Sequence, residues 1–157
     1  MTKLKLTSSA FSDGGEIPRE CGYKNGNEKP PLTINGIPEG TKSLALIMDD
    51  PDAMEPAGKV WVHWVIWNIP TKQDQLPQGS ADGAEGMTDF GEVGYGGPAP
   101  PDKRHTYIFT LYALDSELDG LGKTSTKADV LEAIAGDDDG GSHRLIERTR
   151  LKGTYAP

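Results

Sequence analysis

The sequence has little cysteine, no long apolar segment and no apolar leader. The single cysteine, Cys21, excludes an internal disulfide and a cysteine metal cluster, which fits a reducing compartment. The longest apolar runs, such as residues 60–69, are well short of the ~20 residues that cross a bilayer. Residues 1–11 contain lysines but no continuous apolar stretch, so we expect no secretory signal. Together these absences predict a soluble, cytoplasmic protein without stable membrane insertion.

Basic residues are also in the minority. The chain has 24 aspartates and glutamates against 16 lysines and arginines, and its formal net charge is −8. Such a protein repels phosphate backbones and anionic lipid surfaces, so we expect no nucleic-acid partner. With 157 residues the chain is long enough for one buried core, and we expect a single domain over residues 1–157.

Glycine and proline are plentiful, with 20 and 12 residues, and they separate short apolar segments. Residues 3–7 and 43–48 have the apolar patterns of short strands. Residues 60–69, VWVHWVIWNI, predict a central strand buried on both faces. Residues 104–114 alternate apolar and polar side chains and predict a second long strand. The pattern is typical of an all-β domain with functional loops.

Helix is predicted only towards the end of the chain. Residues 127–135 follow Thr126, which can cap the helix while Asp129 completes a capping box. Residues 143–148, HRLIER, predict a further helical turn or two, and residues 150–155 a last short strand. The sequence therefore predicts a mostly β fold with a helical C-terminal region.

Polar residues in or beside the predicted strands are the candidates for chemistry. His63 interrupts an apolar strand, so its imidazole needs a hydrogen-bond partner, and a core histidine is its ordinary explanation. We expect it to share a face with Trp61 and Val65. The aspartates in DDPDA (49–53) follow a buried strand, where one of them can cap the next turn.

A second group of candidates begins the strand at 104–114. His105 and Tyr107 lie on one face, about 7 Å apart along the strand. With His63 and a carboxylate from DDPDA they would offer an acceptor, two imidazoles that each donate, and a phenol. Such a set suits a small anion, with the carboxylate holding an imidazole or accepting from an ammonium group. The loop GYGGPAPP (94–101) would bring backbone N–H groups close to the ligand and hold a fixed shape.

Catalytic alternatives have weaker support in the sequence. Nucleophilic hydrolysis needs an activated serine or cysteine, and no G-x-S-x-G motif is present. Two histidines and an aspartate could form a facial metal triad, but H-x-H and H-E-x-x-H spacings are absent, so we expect no metal and no other cofactor. A glycosidase-like carboxylate pair stays open, because such pairing depends on the fold.

Seven blocks follow one another over nearly the whole chain: FSDGGEIP (11–18), PPLTINGIPEGTKSLALIMDDPDA (30–53), VHWVIWNIP (62–70), LPQG (76–79), GYGGPAPP (94–101), HTYIFTLYALD (105–115) and LKGTY (151–155). In this combination and order the chain resembles the phosphatidylethanolamine-binding protein family, in its prokaryotic, Raf-kinase-inhibitor-like branch. A single block such as GYGGP would be unspecific, but the combination is highly specific.

The resemblance implies a fold and several functions. The fold is a two-sheet antiparallel Greek-key β-sandwich with C-terminal helices. The implied function is that of a ligand-binding, regulatory protein whose small cavity accepts phosphate, sulfate, carboxylates or a phosphorylethanolamine head group. Inhibition of a kinase or serine protease through the pocket rim is the alternative, and an Asp/His hydrolase is ranked last, so we expect no enzyme. Relatives in this branch are often dimeric, which leaves a monomer or a homodimer open.

The resemblance also implies a set of pocket residues. Position by position these are Asp50 with Asp52 supporting it, His63, Gly97, Pro100, Pro101, His105 and Tyr107. The chain departs from the family pattern at Ala99, where many prokaryotic members have cysteine, and in the compact linker 102–104 before His105. It also inserts DDDGGS (137–142) before His143, where relatives run from the helix into a Gly-His segment.

Overall fold

The computed structural model describes residues 3–72, 74–76, 83–136 and 144–157. Strands predominate in these ranges, with two short 3₁₀ turns at Arg19–Cys21 and Pro51–Ala53. The strands and α-helices are β1 (Lys5–Thr7), β2 (Gly15–Glu16), β3 (Leu32–Asn35), β4 (Ser43–Asp50), α1 (Met54–Ala57), β5 (Trp61–Ile69), β6 (Gln75–Leu76), β7 (Ala84–Glu85), β8 (His105–Leu114), α2 (Lys127–Ala135) and β9 (Leu145–Tyr155).

The strands form two sheets that enclose the main core. A small sheet has the order β1-β3-β6, and a larger one has the order β2-β9-β8-β4-β5-β7. Alternate side chains of β4, such as Leu44 and Leu46, join those of the small sheet, such as Leu6 and Ile34, in one buried cluster. The predicted mostly β sandwich is confirmed. One strand departs from the antiparallel prediction, because β2 pairs with β9 in parallel.

The outer face of the larger sheet is covered by α2. Val130 and Ile134 are its buried side chains, and they pack with Ala45 and Ile47 of β4 in a second cluster. The helix begins as predicted: Thr126 accepts from the backbone N–H of Asp129, and the Asp129 carboxylate accepts from the N–H of Thr126. In the part of the chain that the structure describes, no helix is long and apolar enough to cross a lipid bilayer.

The C-terminal segment is a strand where helical turns were predicted. β9 begins at Leu145 and pairs with β8 as far as Tyr155, so the helical prediction for residues 143–148 is wrong wherever it falls on described residues. Pairing with a long neighbouring strand outweighs the local helical preference of HRLIER. His143 and the insertion 137–142 lie outside the described residues.

A register shift between β4 and β5 changes the face of the larger sheet to which part of β5 directs its side chains. Met48 pairs with Trp64 and Asp49 pairs with Val62, so His63 is the extra residue between them. The shift sends Val65 to the cluster beneath α2, whereas the ring of His63 meets that of Tyr107 on the inner face. The prediction that His63 and Val65 share a face is therefore wrong. The irregularity directs the imidazole into the cavity described next.

Candidate functional site

A cavity of about 180 Å³ opens where β4 ends and β8 begins. Five of the eight residues predicted from the sequence line this cavity, and they come from three different strands and one loop. Asp52, Gly97 and Pro100 lie outside its lining. The lining residues are Asp50, Ala53, Pro56, Ala57, Trp61, His63, Phe90, Ala99, Pro101, His105 and Tyr107.

Asp50 is the last residue of β4 and caps the turn that follows. Its Oδ1 accepts from the backbone N–H of Asp52 at 2.9 Å, as the DDPDA pattern predicts for an aspartate at a strand exit. The Asp52 carboxylate accepts in turn from the backbone N–H of Thr106 at 2.9 Å. Asp52 thus ties the turn to the start of β8, and it supports Asp50 without facing the cavity.

His105 has a carboxylate at each ring nitrogen. Its Nδ1 lies 2.6 Å from Oδ2 of Asp50, and its Nε2 lies 2.7 Å from Oδ1 of Asp102. When both carboxylates are ionised, both nitrogens donate and the ring is an imidazolium. Burial acts to lower the pKa of His105, but the hydrogen bonds to Asp50 and Asp102 outweigh it and raise that pKa. Burial raises the pKa of Asp50, and the hydrogen bond from His105 partly offsets this effect.

His63 is held by backbone alone. Its Nδ1–H donates to the carbonyl oxygen of Gly96 at 2.6 Å, and the N–H of Gly96 donates to the carbonyl of His63 at 2.8 Å. Burial lowers the pKa of His63 to about 4, so the ring is neutral at pH 7. The expectation that His63 donates to a ligand is therefore wrong, because its one N–H is used within the protein. Both ring nitrogens of His105 also have acceptors within the protein, so His105 could donate to a ligand only by exchanging one of them.

The hydroxyl of Tyr107 is buried and makes no hydrogen bond of ordinary geometry within the part of the chain that the structure describes. Burial, and next the nearby carboxylate of Asp50, raise the pKa of Tyr107, so the hydroxyl keeps its proton. The ring meets the edge of His63 at a centroid distance of 5.1 Å. A buried hydroxyl is normally hydrogen-bonded, so this one is available to a molecule in the cavity.

The loop at residues 94–101 is fixed by the segment at 21–27. The N–H of Gly97 donates to Oδ1 of Asn27 at 2.7 Å, and the hydroxyl of Tyr95 donates to the carbonyl of Cys21 at 2.8 Å. A Cβ at Gly97 would collide with that same carbonyl oxygen. Gly97 therefore permits close packing of two backbone segments. Its N–H is also already used by Asn27, so a ligand contact of Gly97 stays a prediction from the resemblance.

Two aromatic residues of the cavity were not among the sequence candidates. Trp61 precedes His63 by two residues on β5, and this spacing could have identified it. Phe90 comes from a loop, contacts the His63 ring edge-on at 5.3 Å, and has no marker in the sequence. Asp102 was also missed, although a carboxylate three residues before a histidine in a short turn is a recognisable pattern.

Two other groups bear on the chemistry. Within the described ranges, no set of three or more His, Cys, Asp or Glu side chains is arranged to hold a metal ion. Cys21 is buried, and burial raises its pKa to about 11, so it remains a thiol at neutral pH.

Comparison with known proteins places these features in a wider group. The sequence pattern of the family described as "Phosphatidylethanolamine-binding protein" matches residues 7–145. A "UPF0098 protein" of Methanothermobacter thermautotrophicus is 45% identical, over 97% of this chain and 98% of the relative. The solved structure of the putative homologue CT736 from Chlamydia trachomatis is 35% identical, with a TM-score of 0.86 over 99% of this chain and 98% of the other. YbcL of E. coli is 31% identical, with a TM-score of 0.83 over 98% of both chains.

Proposed function

Because the chain belongs to the phosphatidylethanolamine-binding protein family, we propose that it is a ligand-binding protein whose cavity takes a small anionic group. Phosphate, phosphorylethanolamine and carboxylate head groups are the ligands of this class, and the binding has a regulatory role. The observation that carries the proposal is the unpartnered hydroxyl of Tyr107, buried at the cavity beside the ion pair of Asp50 and His105.

The volume of the cavity supports a head group over a whole lipid. At about 180 Å³ it lies below the 300–1,000 Å³ common for drug-sized ligands. It has room for a phosphate or carboxylate with a few carbon atoms. The aromatic and proline side chains around it, such as Trp61, Phe90 and Pro101, would pack against those carbons.

The polar atoms have complementary roles in this proposal. The Tyr107 hydroxyl donates to an oxygen of the anion, and the His105 imidazolium supplies positive charge. Neutral His63 carries its proton on Nδ1, which leaves Nε2 as an acceptor. An acceptor at this place suits a protonated phosphate oxygen or the ammonium group of ethanolamine.

The same hydrogen bonds favour binding over turnover. A hydrolase that uses aspartate and histidine needs a free imidazole nitrogen as its base. Both nitrogens of His105 are bonded to carboxylates. Nε2 of His63 remains as an acceptor, but the lowered pKa of that ring makes it a weak base. Inhibition of a kinase or a serine protease through the pocket rim stays a prediction from the resemblance alone, as does a homodimer.

Calorimetric titration with inorganic phosphate and with phosphorylethanolamine tests the proposal, while NMR follows the side-chain resonances of His63 and His105. We expect both ligands to bind and to shift both histidines. Tyr107→Phe should weaken binding about tenfold, the value of one hydrogen bond to a charged group. Tyr112→Phe is the matched control, because Tyr112 is buried in the same strand but packs in the cluster beneath α2.

The proposal fails if neither ligand moves the two histidine resonances at millimolar concentration. It also fails if the Tyr107 and Tyr112 variants lose affinity equally.

The affinity for the anion should decrease at alkaline pH, and the decrease should begin above pH ~6.5, because the pKa of His105 is raised from that ordinary value.

A further inference from the structure

The positive charge of the candidate site is already neutralised by the chain itself. His105 contributes one positive charge, whereas Asp50 and Asp102 contribute two negative charges at its two ring nitrogens. His63 adds none at neutral pH because its pKa is lowered. An anion that approaches this arrangement meets a net negative charge and an imidazolium without a free N–H.

The two carboxylates differ in how firmly they are held. The side chain of Asp50 is 4% exposed, and its second oxygen accepts from the backbone N–H of Asp52. The side chain of Asp102 is 36% exposed and lies in the short turn between Pro101 and β8. Asp102 does not line the cavity itself, but its neighbour Pro101 and its partner His105 both do. Asp102 can therefore exchange His105 for water by a side-chain rotation, whereas Asp50 would have to leave a buried site.

We propose that Asp102 is an internal competitor for the ligand, a carboxylate that occupies Nε2 of His105 until an oxygen of the bound anion replaces it. The inference rests on the proposed anion-binding function and adds a residue that sets its affinity. The carboxylate of Asp102, 2.7 Å from Nε2, makes the same charge-assisted hydrogen bond that a phosphate or carboxylate oxygen would make.

Competition of this kind has a measurable consequence. A ligand that must displace a resident group binds with an affinity reduced by the fraction of protein in which the site is open. Removing the whole carboxylate should open the site in every molecule. We expect Asp102→Ala to bind inorganic phosphate about tenfold more tightly than the wild type, which corresponds to the loss of one charged hydrogen bond. Asp102→Asn should gain less, because its uncharged amide oxygen can still accept from Nε2–H.

The control separates direct competition from a general change in charge. Glu55 is exposed on α1, and its carboxylate pairs with Lys103 in the same turn as Asp102. Glu55→Gln removes one negative charge near the cavity and touches neither nitrogen of His105. This variant should change the phosphate affinity less than twofold, because exposed charges are screened.

The experiment is calorimetry with inorganic phosphate on the wild type and the three variants near pH 6, with thermal unfolding of each to show that it is folded. NMR of the His105 ring nitrogens supplies a second measurement. In the wild type, phosphate should shift the Nε2 resonance more than the Nδ1 resonance, because only the partner of Nε2 is exchanged. Tighter binding by both Asp102 variants, with Glu55→Gln unchanged, supports the proposal.

The other outcomes overturn it in distinguishable ways. Equal or weaker binding by the Asp102 variants would show that Asp102 is no competitor, while the proposed function would stand. An equal gain in phosphate affinity in all three variants would show that the loss of a negative charge near the cavity, and not the loss of a competitor, is responsible. If phosphate binds to none of the four proteins, the proposed anion-binding function fails, and the role of Asp102 fails with it.

Discussion

His63 on β5 and His105 on β8 lie on the same cavity, and both side chains are buried. Their surroundings nevertheless favour opposite charge states. His63 donates to a neutral backbone carbonyl, and burial lowers its pKa to about 4. His105 lies between two carboxylates, which raise its pKa although burial acts to lower it.

The difference shows that burial alone does not determine the charge of a histidine. Burial disfavours the imidazolium at both positions, and the neighbour at hydrogen-bond distance decides the result. One small cavity can in this way hold a neutral acceptor and a cation side by side. The predictions below test this contrast, beginning with the largest expected effect.

Asp50→Asn should have the largest effect, because it leaves the imidazolium of His105 without its buried partner. We expect the free energy of unfolding at pH 7 to fall by about 3–5 kcal/mol. Asparagine is also a good N-cap, so the turn at Pro51–Ala53 keeps its cap. Urea unfolding monitored by tryptophan fluorescence measures the loss.

Asp49→Asn is the matched control for that substitution. Asp49 precedes Asp50 on β4, but its carboxylate pairs with Lys127 at 2.6 Å on the side of α2. This pair is partly exposed, so the loss should be about 1 kcal/mol or less. Equal losses in the two variants would contradict a special role for the buried pair.

Acidification should destabilise the protein through His63. The folded pKa of about 4 lies below the unfolded value of about 6.5, so the unfolded chain binds a proton first as the pH falls. Stability from this residue is therefore lost between pH ~6.5 and pH ~4, by on the order of 3 kcal/mol in all. Urea unfolding across this range measures the slope of the free energy of unfolding against pH.

His63→Asn identifies the contribution of His63 to that slope. An asparagine amide can donate to the Gly96 carbonyl in place of Nδ1–H and does not titrate. The variant should be less stable than the wild type at pH 7, and the gap should narrow towards pH 4. Stability curves that stay parallel over the whole range would show that His63 is not held neutral by the fold.

The third prediction is a spectroscopic shift. In an NMR titration the midpoint of His63 should lie near pH 4 and that of His105 above pH ~6.5, with His143→Gln used to remove the third histidine. The stabilisation that protonated His105 provides is present below pH ~6.5 and is lost as the pH rises through its raised folded pKa. Asp102→Asn should lower the midpoint of His105 and leave that of His63 in place. Movement of both midpoints together would contradict independent surroundings.

Local sequence patterns located much of the fold and part of the site. The alternation in β8 placed His105 and Tyr107 on one face, which is the face towards the cavity, and Thr126 with Asp129 marked the start of α2. The order of sequence blocks identified the family. His63, His105 and Tyr107 were found because polar residues in or beside buried strands are uncommon, and the family resemblance selected Asp50 among the aspartates of DDPDA.

Other residues could not be found in this way, because their roles depend on distant partners. Phe90 reaches the cavity from a loop, and Gly97 packs against Cys21, which is far away in sequence. The first half of β9 was missed because HRLIER has a helical pattern when it is considered without β8, whereas the strand predicted at 150–155 is its second half. Each of these outcomes depends on contacts between segments that are distant in the chain.

By itself, the sequence determined which segments form most of the long strands, where α2 begins and which polar residues come near the cavity. These features follow from side-chain periodicity and helix capping, which act between neighbours in the chain. Only the tertiary structure decided the register shift that turns His63 inward, the fixed packing of the loop at 94–101 and the charge of each histidine. The physical reason is that the register, the loop packing and the charge of a histidine depend on burial and on partners at hydrogen-bond distance. The Asp50 and Asp102 carboxylates flank one imidazole, and only a backbone carbonyl accepts from Nδ1 of the other.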